Sequence, residues 1–208
     1  MTGRPEANQR LILATAAVTG SMVALFLLPS SLFIPMTFVA TGVMVVASYL
    51  TGSLVWKDAR LRAIVAGLAS AGLLYFIFYL GNAAVSSANL AGAGPASERS
   101  IYALIASPSN PLSLQIAVLA FDAVGYESFF RGTLQKRLAP RAGVLAAPAV
   151  ALMDATIHLA TFNILWVGTT FVADLVWGLT YHYGKGLPAS TTSHFVWDLA
   201  IFIVRPIL

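Results

Sequence analysis

Runs of apolar residues long enough to cross a lipid bilayer recur along the chain. A membrane-spanning helix needs about 20 mainly apolar residues. Seven runs satisfy this condition: Leu11–Leu28, Leu32–Leu54, Ile64–Val85, Leu112–Leu134, Val144–Ala160, Ile164–Tyr181 and Pro188–Val204. The pattern therefore predicts an all-α, polytopic integral membrane bundle of about seven transmembrane helices.

Two segments refine this picture. Ala63, Gly67 and Ala71 recur at every fourth position of the third run, and such small residues let membrane helices approach closely. The segment Ser86–Pro111 is rich in Ala, Gly, Ser and Asn and is predicted to be an external, mobile connection.

The basic residues predict the orientation of the bundle. With a cytoplasmic N-terminus, ten of the twelve Lys and Arg residues fall on the cytoplasmic side: Arg4, Arg10, Lys57, Arg60, Arg62, Arg131, Lys136, Arg137, Arg141 and Lys185. Arg99 and Arg205 fall outside. By the positive-inside rule, this distribution predicts a multi-pass protein of the cell membrane with its N-terminus inside.

Composition agrees with a single membrane domain over residues 1–208, with a motif-bearing core at about 112–204. The chain is 58% hydrophobic and only 10% charged, whereas soluble domains are about 25% charged. It contains no cysteine, which excludes a thiol nucleophile and a thiolate metal site. The net charge of +4 reflects topology, so the expected partner is the lipid bilayer and not nucleic acid.

Ionisable side chains are concentrated inside the predicted spans. A charge in hydrocarbon costs at least ~2.5–3.5 kcal/mol, so such residues usually have a function and face one another. Five of the eight acidic residues and two of the three histidines lie there: Asp122, Glu127, Asp154, His158, Asp174, His194 and Asp198.

Three spans each carry a pair of these side chains four residues apart, which places both members on one helix face. The pairs are Glu127 with Arg131, Asp154 with His158, and His194 with Asp198. At a rise of ~1.5 Å per residue, the pairs lie at similar depth. We therefore expect Glu127, Asp154, His158, His194 and Asp198 to converge on one water-accessible cavity that opens toward the cytoplasm.

This cluster is compatible with more than one chemistry. A buried carboxylate or a histidine can take a proton from water, and a second histidine can hold an oxyanion. Two histidines and two carboxylates also suit zinc, iron or manganese, with Asp154, His158, His194 and Asp198 as ligands. Purely structural roles are a third possibility. Asp122 and Asp174 have no ionic partner at i+4 and are expected to be structural.

The segment Gly125–Leu138, with the sequence GYESFFRGTLQKRL, resembles the first motif of the CPBP family. That family comprises the CAAX-type prenyl endopeptidases and the bacteriocin-processing proteins, also called Abi proteins. Its pattern is Glu-Glu-x-x-x-Arg, usually followed by Gly. Glu127, Arg131 and Gly132 match the second Glu, the Arg and the Gly.

Two later segments are similar to the remaining motifs. His158 matches the histidine of Phe-x-x-x-His on the next helix. Phe171, Leu175 and Gly178 match the pattern Phe-x-x-Gly-Leu-x-x-Gly, and His194 matches the histidine of His-x-x-x-Asn.

The resemblance covers about Asp122–Leu199 and implies a metal-free, glutamate-dependent intramembrane endopeptidase. Its substrate would be a membrane-embedded peptide, or a lipidated or leader-bearing one. In such enzymes the first Glu and the first His activate water, while the last His and the Asn stabilise the oxyanion. Carried over, His158 would assist the base, and His194 with Asp198 would face the carbonyl oxygen.

Four positions depart from the family pattern. The first Glu, the Phe, one Gly and the Asn are replaced by Tyr126, Asp154, Asp174 and Asp198, respectively. An ionised Asp198 would repel an oxyanion, so it serves only when protonated or by orienting His194.

Three hypotheses remain after these departures. The favoured one is an intramembrane peptidase with Glu127 or Asp154 as the base. The second is a metal-dependent membrane enzyme on the same fold, and the third is a non-catalytic relative that binds a peptide or lipid chain.

Overall fold

The computed structural model describes residues 3–52, 56, 61–88, 95–106, 110–184 and 186–207. Within these residues every regular element is helical. The α-helices are α1 (Gly3–Leu27), α2 (Phe33–Leu50), α3 (Leu61–Ala88), α4 (Pro95–Ile105), α5 (Leu112–Phe129), α6 (Lys136–Ala142), α7 (Ala146–Ile157), α8 (Ile164–Tyr183) and α9 (Leu187–Asp198). Two of them continue as π-helical segments, Phe130–Gln135 after α5 and Leu199–Val204 after α9.

The described residues contain six helical runs that are long and apolar enough to cross a membrane. The longest has 50 residues and runs from the start of α5 to Thr161, at the end of the short 3-10 turn after α7. It reverses at Gly143, which has a φ of 57°, a value that favours glycine. Tyr126 in the first half contacts Asp154 in the second half. Gln135 and Ala147, which lie nearer to the reversal on the first and second halves, are both packed against Gly178 of α8. The two halves are therefore antiparallel. The predicted all-α membrane bundle is confirmed, and this run supplies two of its crossings.

Helix α4 corrects the prediction of a mobile connection over Ser86–Pro111 for the described part of that segment; residues 89–94 and 107–109 lie outside the described residues. The amide Nδ2 of Asn163 donates to the Ser97 carbonyl and to Ser100 Oγ, both at 3.2 Å, which fastens α4 to the start of α8. The composition of the segment did not indicate the amphipathic helix that forms there, whose Ile101 and Ile105 face the bundle interior. The external location of this segment stays a prediction.

The stripe of small residues on α3 lies against α9. A methyl group added at Gly67 would lie 2.6 Å from the Ala189 carbonyl oxygen and 2.7 Å from Thr192 Cβ. A backbone carbonyl oxygen cannot rotate away from a clash as a flexible side chain can. The two helices can therefore come this close only where α3 carries no side chain. The sequence prediction of a close helix contact is correct at this position.

We expect Gly67→Ala to lower the thermal unfolding temperature of the detergent-solubilised protein. The new methyl group must push α9 away, and overpacking of this kind typically costs about 1–3 kcal/mol. Gly72 on the same helix has nothing within 4 Å of an added methyl group, so Gly72→Ala is the matched control. Alanine is favoured over glycine in a helix by about 0.5–1 kcal/mol, so the control should be neutral or stabilising. Equal effects of the two substitutions would contradict the close contact.

Candidate active site

A cavity of about 750 Å³ lies inside the bundle. Its wall is mainly apolar and comes from α1 to α5, α8, α9 and the segments that follow α7 and α9. The ionisable side chains in this wall are Tyr102, Asp122, Tyr126, His158, His194 and Asp198. A mainly apolar cavity with a few convergent polar groups is typical of a ligand or substrate site.

Glu127 and Asp154 are fully buried and do not line this cavity. The predicted convergence of five side chains on one cavity is therefore wrong for these two. Consecutive helical residues point about 100° apart. Tyr126 faces the cavity, so the neighbouring Glu127 turns toward α9, and Asp154 lies behind the tyrosine.

Tyr126, Asp154 and His158 form a connected chain of polar contacts. The Tyr126 hydroxyl donates to Asp154 Oδ2. The same carboxylate oxygen lies 3.5 Å from His158 Nδ1, and that nitrogen is also 3.1 Å from the Asp154 backbone carbonyl. Two acceptors thus face Nδ1, so a hydrogen on Nδ1 leaves the other ring nitrogen of His158 unprotonated.

His194 lies between two carboxylates. Its Nδ1 is 3.1 Å from Glu127 Oε1, and its Nε2 is 3.4 Å from Asp198 Oδ2. The ring stacks on Trp177, with centroids 3.7 Å apart and planes 13° apart. With a carboxylate facing each ring nitrogen, His194 can carry a hydrogen on both as an imidazolium. The contact with Asp198 is long for a hydrogen bond, so in that form the Nε2 hydrogen is available to a group in the cavity.

Arg131 joins two carboxylates beneath the cavity. Its Nε lies 3.5 Å from Glu127 Oε2, and its Nη2 donates to Asp174 Oδ1. All three side chains are fully buried, so the predicted intrahelical pair is confirmed as buried. Asp174, which has no partner on its own helix, is the second counter-ion of Arg131.

Asp122 occupies the cavity wall one turn before Tyr126. It accepts a hydrogen bond of 2.8 Å from Thr41 Oγ1, which ties α5 to α2. This bridge agrees with the structural role expected for Asp122, and the same carboxylate is also presented to the cavity.

Both π-helical segments begin next to these groups. One starts three residues after Glu127 and contains Arg131, while the other starts directly after Asp198. The extra residue in such turns rotates the following side chains relative to an α-helix, and π-helical turns are frequent at functional sites.

The residues proposed as alternative metal ligands do not form one coordination set. Within the described part of the chain, no group of three or more His, Cys, Asp or Glu residues is arranged to hold a metal ion. Asp154 lies behind Tyr126, outside the cavity that His158, His194 and Asp198 line.

Sequence reasoning missed several contacts of these side chains. Trp177 carries no polar pattern that would distinguish it from a core residue, and Thr41 has no unusual neighbours in the sequence. The role of Asp174 could have been predicted from charge balance. Glu127 is shared between Arg131 and His194, so the buried Arg131 needs a second carboxylate as a counter-ion.

Comparison with known proteins finds one family to which the motif-bearing core is similar. A family sequence model described as type II CAAX prenyl endopeptidase Rce1-like matches residues 108–200. No curated protein and no solved structure matches the chain. The matched segment contains both histidines of the cavity wall and the Glu127–Arg131 pair. Through this motif-bearing core, the chain is therefore similar to the type II CAAX prenyl endopeptidases, which agrees with the resemblance of its motifs to the CPBP family.

Proposed function

We propose that this protein hydrolyses a peptide bond of a membrane-associated substrate inside the cell membrane, with His158 as the general base. The observation that carries the proposal is the placement of His158 in the cavity wall, with its Nδ1 turned toward Asp154. The unprotonated nitrogen of such a ring can accept a proton from water.

Asp154 and Tyr126 act as positioning residues in this proposal. The Asp154 backbone carbonyl, 3.1 Å from Nδ1, accepts the Nδ1 hydrogen of His158. The Asp154 carboxylate, 3.5 Å from the same nitrogen, stabilises the imidazolium that forms when the base is protonated. The Tyr126 hydroxyl fixes the carboxylate in turn. Neither Glu127 nor Asp154 touches the cavity, which argues against either as the group that contacts the water.

The contact between Tyr126 and Asp154 gives a physical meaning to two departures from the family pattern. The pattern has Glu where α5 carries Tyr126, and an aromatic residue where α7 carries Asp154. The carboxylate and the aromatic ring have thus exchanged helices, and the exchange leaves one carboxylate beside His158. This compensation favours a retained hydrolytic site over a non-catalytic relative.

His194 is proposed to stabilise the oxyanion that forms on the attacked carbonyl. Glu127 orients its ring through Nδ1, Trp177 holds its face, and Nε2 lies at the cavity wall beside Asp198. A positively charged imidazole stacked on an indole gains a cation–π interaction. Asp198 is proposed to orient His194 rather than to donate to the oxyanion.

The proposed substrate is a membrane-embedded or lipidated peptide, and the proposed chemistry needs no metal. The mainly apolar wall of the cavity matches an isoprenyl chain or an apolar leader segment. Large apolar and aromatic side chains such as Tyr79, Leu152 and Phe162 are exposed on the bundle surface, as expected for a protein in a bilayer.

The proposal is tested with purified protein in liposomes and two probes, a farnesylated peptide and an apolar leader peptide. Mass spectrometry in water labelled with heavy oxygen should find the label in the new carboxylate of the product. We expect cleavage to survive a strong chelator, because the base and the oxyanion group are both histidines.

Two results would overturn parts of this proposal. Activity that disappears with the chelator and returns with zinc, iron or manganese would establish the metal-dependent alternative. Binding of both probes without any cleavage would establish the non-catalytic alternative.

A further inference from the structure

We propose that the substrate enters from the non-cytoplasmic half of the membrane; this inference rests on the proposed function. The substrates would then be membrane-anchored peptides whose cleaved bond lies near the outer surface. A peptide tail presented by the cytoplasm would not reach the two histidines.

The cavity lies in one half of the bundle only. No described residue of 3–21, 45–76, 127–157 or 178–193 contributes to its wall. Three of these stretches contain the α2–α3, α5–α7 and α8–α9 connections. The wall instead comes from the opposite helix ends: the last turns of α1 and α3, the first turns of α2 and α8, and the end of α9.

Close packing of α8 against the end of the π-helical segment after α5 and the start of α7 separates the cavity from the opposite end of the bundle. A smaller hollow of about 340 Å³ between α3 and α8 in this half shares no lining residue with the cavity. Gln135 donates a 2.8 Å hydrogen bond to the Gly178 carbonyl, and Ala147 is fully buried against the same glycine. The Arg131 group, with its two carboxylates, lies between this packed region and the cavity. A substrate would have to disrupt these buried contacts to pass from that end.

The charge distribution assigns these two ends to the two sides of the membrane. The three connections at the closed end carry Lys57, Arg60, Arg62, Lys136, Arg137, Arg141 and Lys185, whereas the open end carries Arg99 and Arg205. By the positive-inside rule, the closed end is cytoplasmic and the cavity opens outward. This proposal departs from the expected opening toward the cytoplasm, because the depth of a residue near mid-membrane does not reveal which half of the bundle is hollow.

The proposed base lies close to the outer end. His158 begins the short 3-10 turn that closes α7, four residues before the exposed Phe162, which corresponds to about 6–8 Å of helix rise. Helix α4 borders the same end through Ile101 and Tyr102, and the backbone N–H of Ile207 donates to the Tyr102 hydroxyl at 3.1 Å. The mouth is therefore built from α4 and the chain after α9.

The absence of cysteine from the sequence allows a direct test with single-cysteine variants. Thr169→Cys places a thiol in the cavity wall, and Val144→Cys places one at the closed end, where Val144 is 38% exposed. Both variants are treated with a membrane-impermeant thiol reagent, in intact cells and in inverted membrane vesicles. We expect Thr169→Cys to react in intact cells, and Val144→Cys to react only in inverted vesicles. The reverse pattern would overturn the proposal.

The labelling result does not depend on catalysis. If the reagent labels Thr169→Cys from outside but the protein cleaves neither probe peptide, the proposed outward access is supported and the proposed function is wrong. If the protein cleaves a probe peptide but this position is labelled only from the cytoplasmic side, the proposed function is supported and the outward access is wrong.

Discussion

Replacing His158 by Ala is expected to lower the turnover number for peptide cleavage by on the order of 10²–10⁴, the usual contribution of a general base. His158 lies in the cavity wall with Asp154 behind its Nδ1, so the substitution removes the proton acceptor and leaves the apolar wall in place. The Michaelis constant should change much less than the turnover number. Single-turnover cleavage of the farnesylated peptide by reconstituted protein measures the loss.

The third histidine of the chain provides the matched control. His182 is exposed near the end of α8 and does not line the cavity, so His182→Ala should cleave at the unaltered rate. Thermal unfolding of both variants separates a chemical effect from misfolding. A His158→Ala protein that cleaves at the normal rate would remove His158 as the base and leave Asp122 or Asp198 in the cavity wall as the remaining acceptors.

Contacts within one helix could be predicted from the sequence, because the helical repeat alone brings residues i and i+4 together. The pairs Glu127–Arg131 and Asp154–His158 have N–O distances of 3.5 Å each, and the pair His194–Asp198 has one of 3.4 Å. The number of crossings followed equally directly from the lengths of the apolar runs.

Contacts between helices could not be predicted in this way, because they depend on how each helix is rotated about its axis. Asp174 pairs with Arg131, and Glu127 pairs with His194, across helices whose neighbours the hydropathy pattern does not specify. The direction in which a cavity opens cannot be predicted from depth for a related reason. Depth along a helix places a residue between two membrane surfaces, whereas a cavity depends on which side chains fill the space above and below it.

Loss of the Arg131 guanidinium is expected to produce the largest loss of stability of any single polar substitution in the described core. Arg131→Gln leaves Glu127 and Asp174 as buried carboxylates without their cation, and breaking a buried ion pair in this way costs on the order of 3–5 kcal/mol. Thermal unfolding in detergent measures the effect. The matched control is Arg141→Gln, since Arg141 is exposed near the end of α6 and surface substitutions usually stay within about 0.5 kcal/mol.

Glu127→Gln should cost less stability than Arg131→Gln, because Asp174 still pairs with the guanidinium. It should nevertheless slow cleavage, because His194 loses the carboxylate that orients it. The same melting temperature for Arg131→Gln and Arg141→Gln would show that the buried charges are not coupled. A Glu127→Gln protein that loses stability but keeps its cleavage rate would show that Glu127 serves the fold alone and that His194 needs no carboxylate to hold its ring.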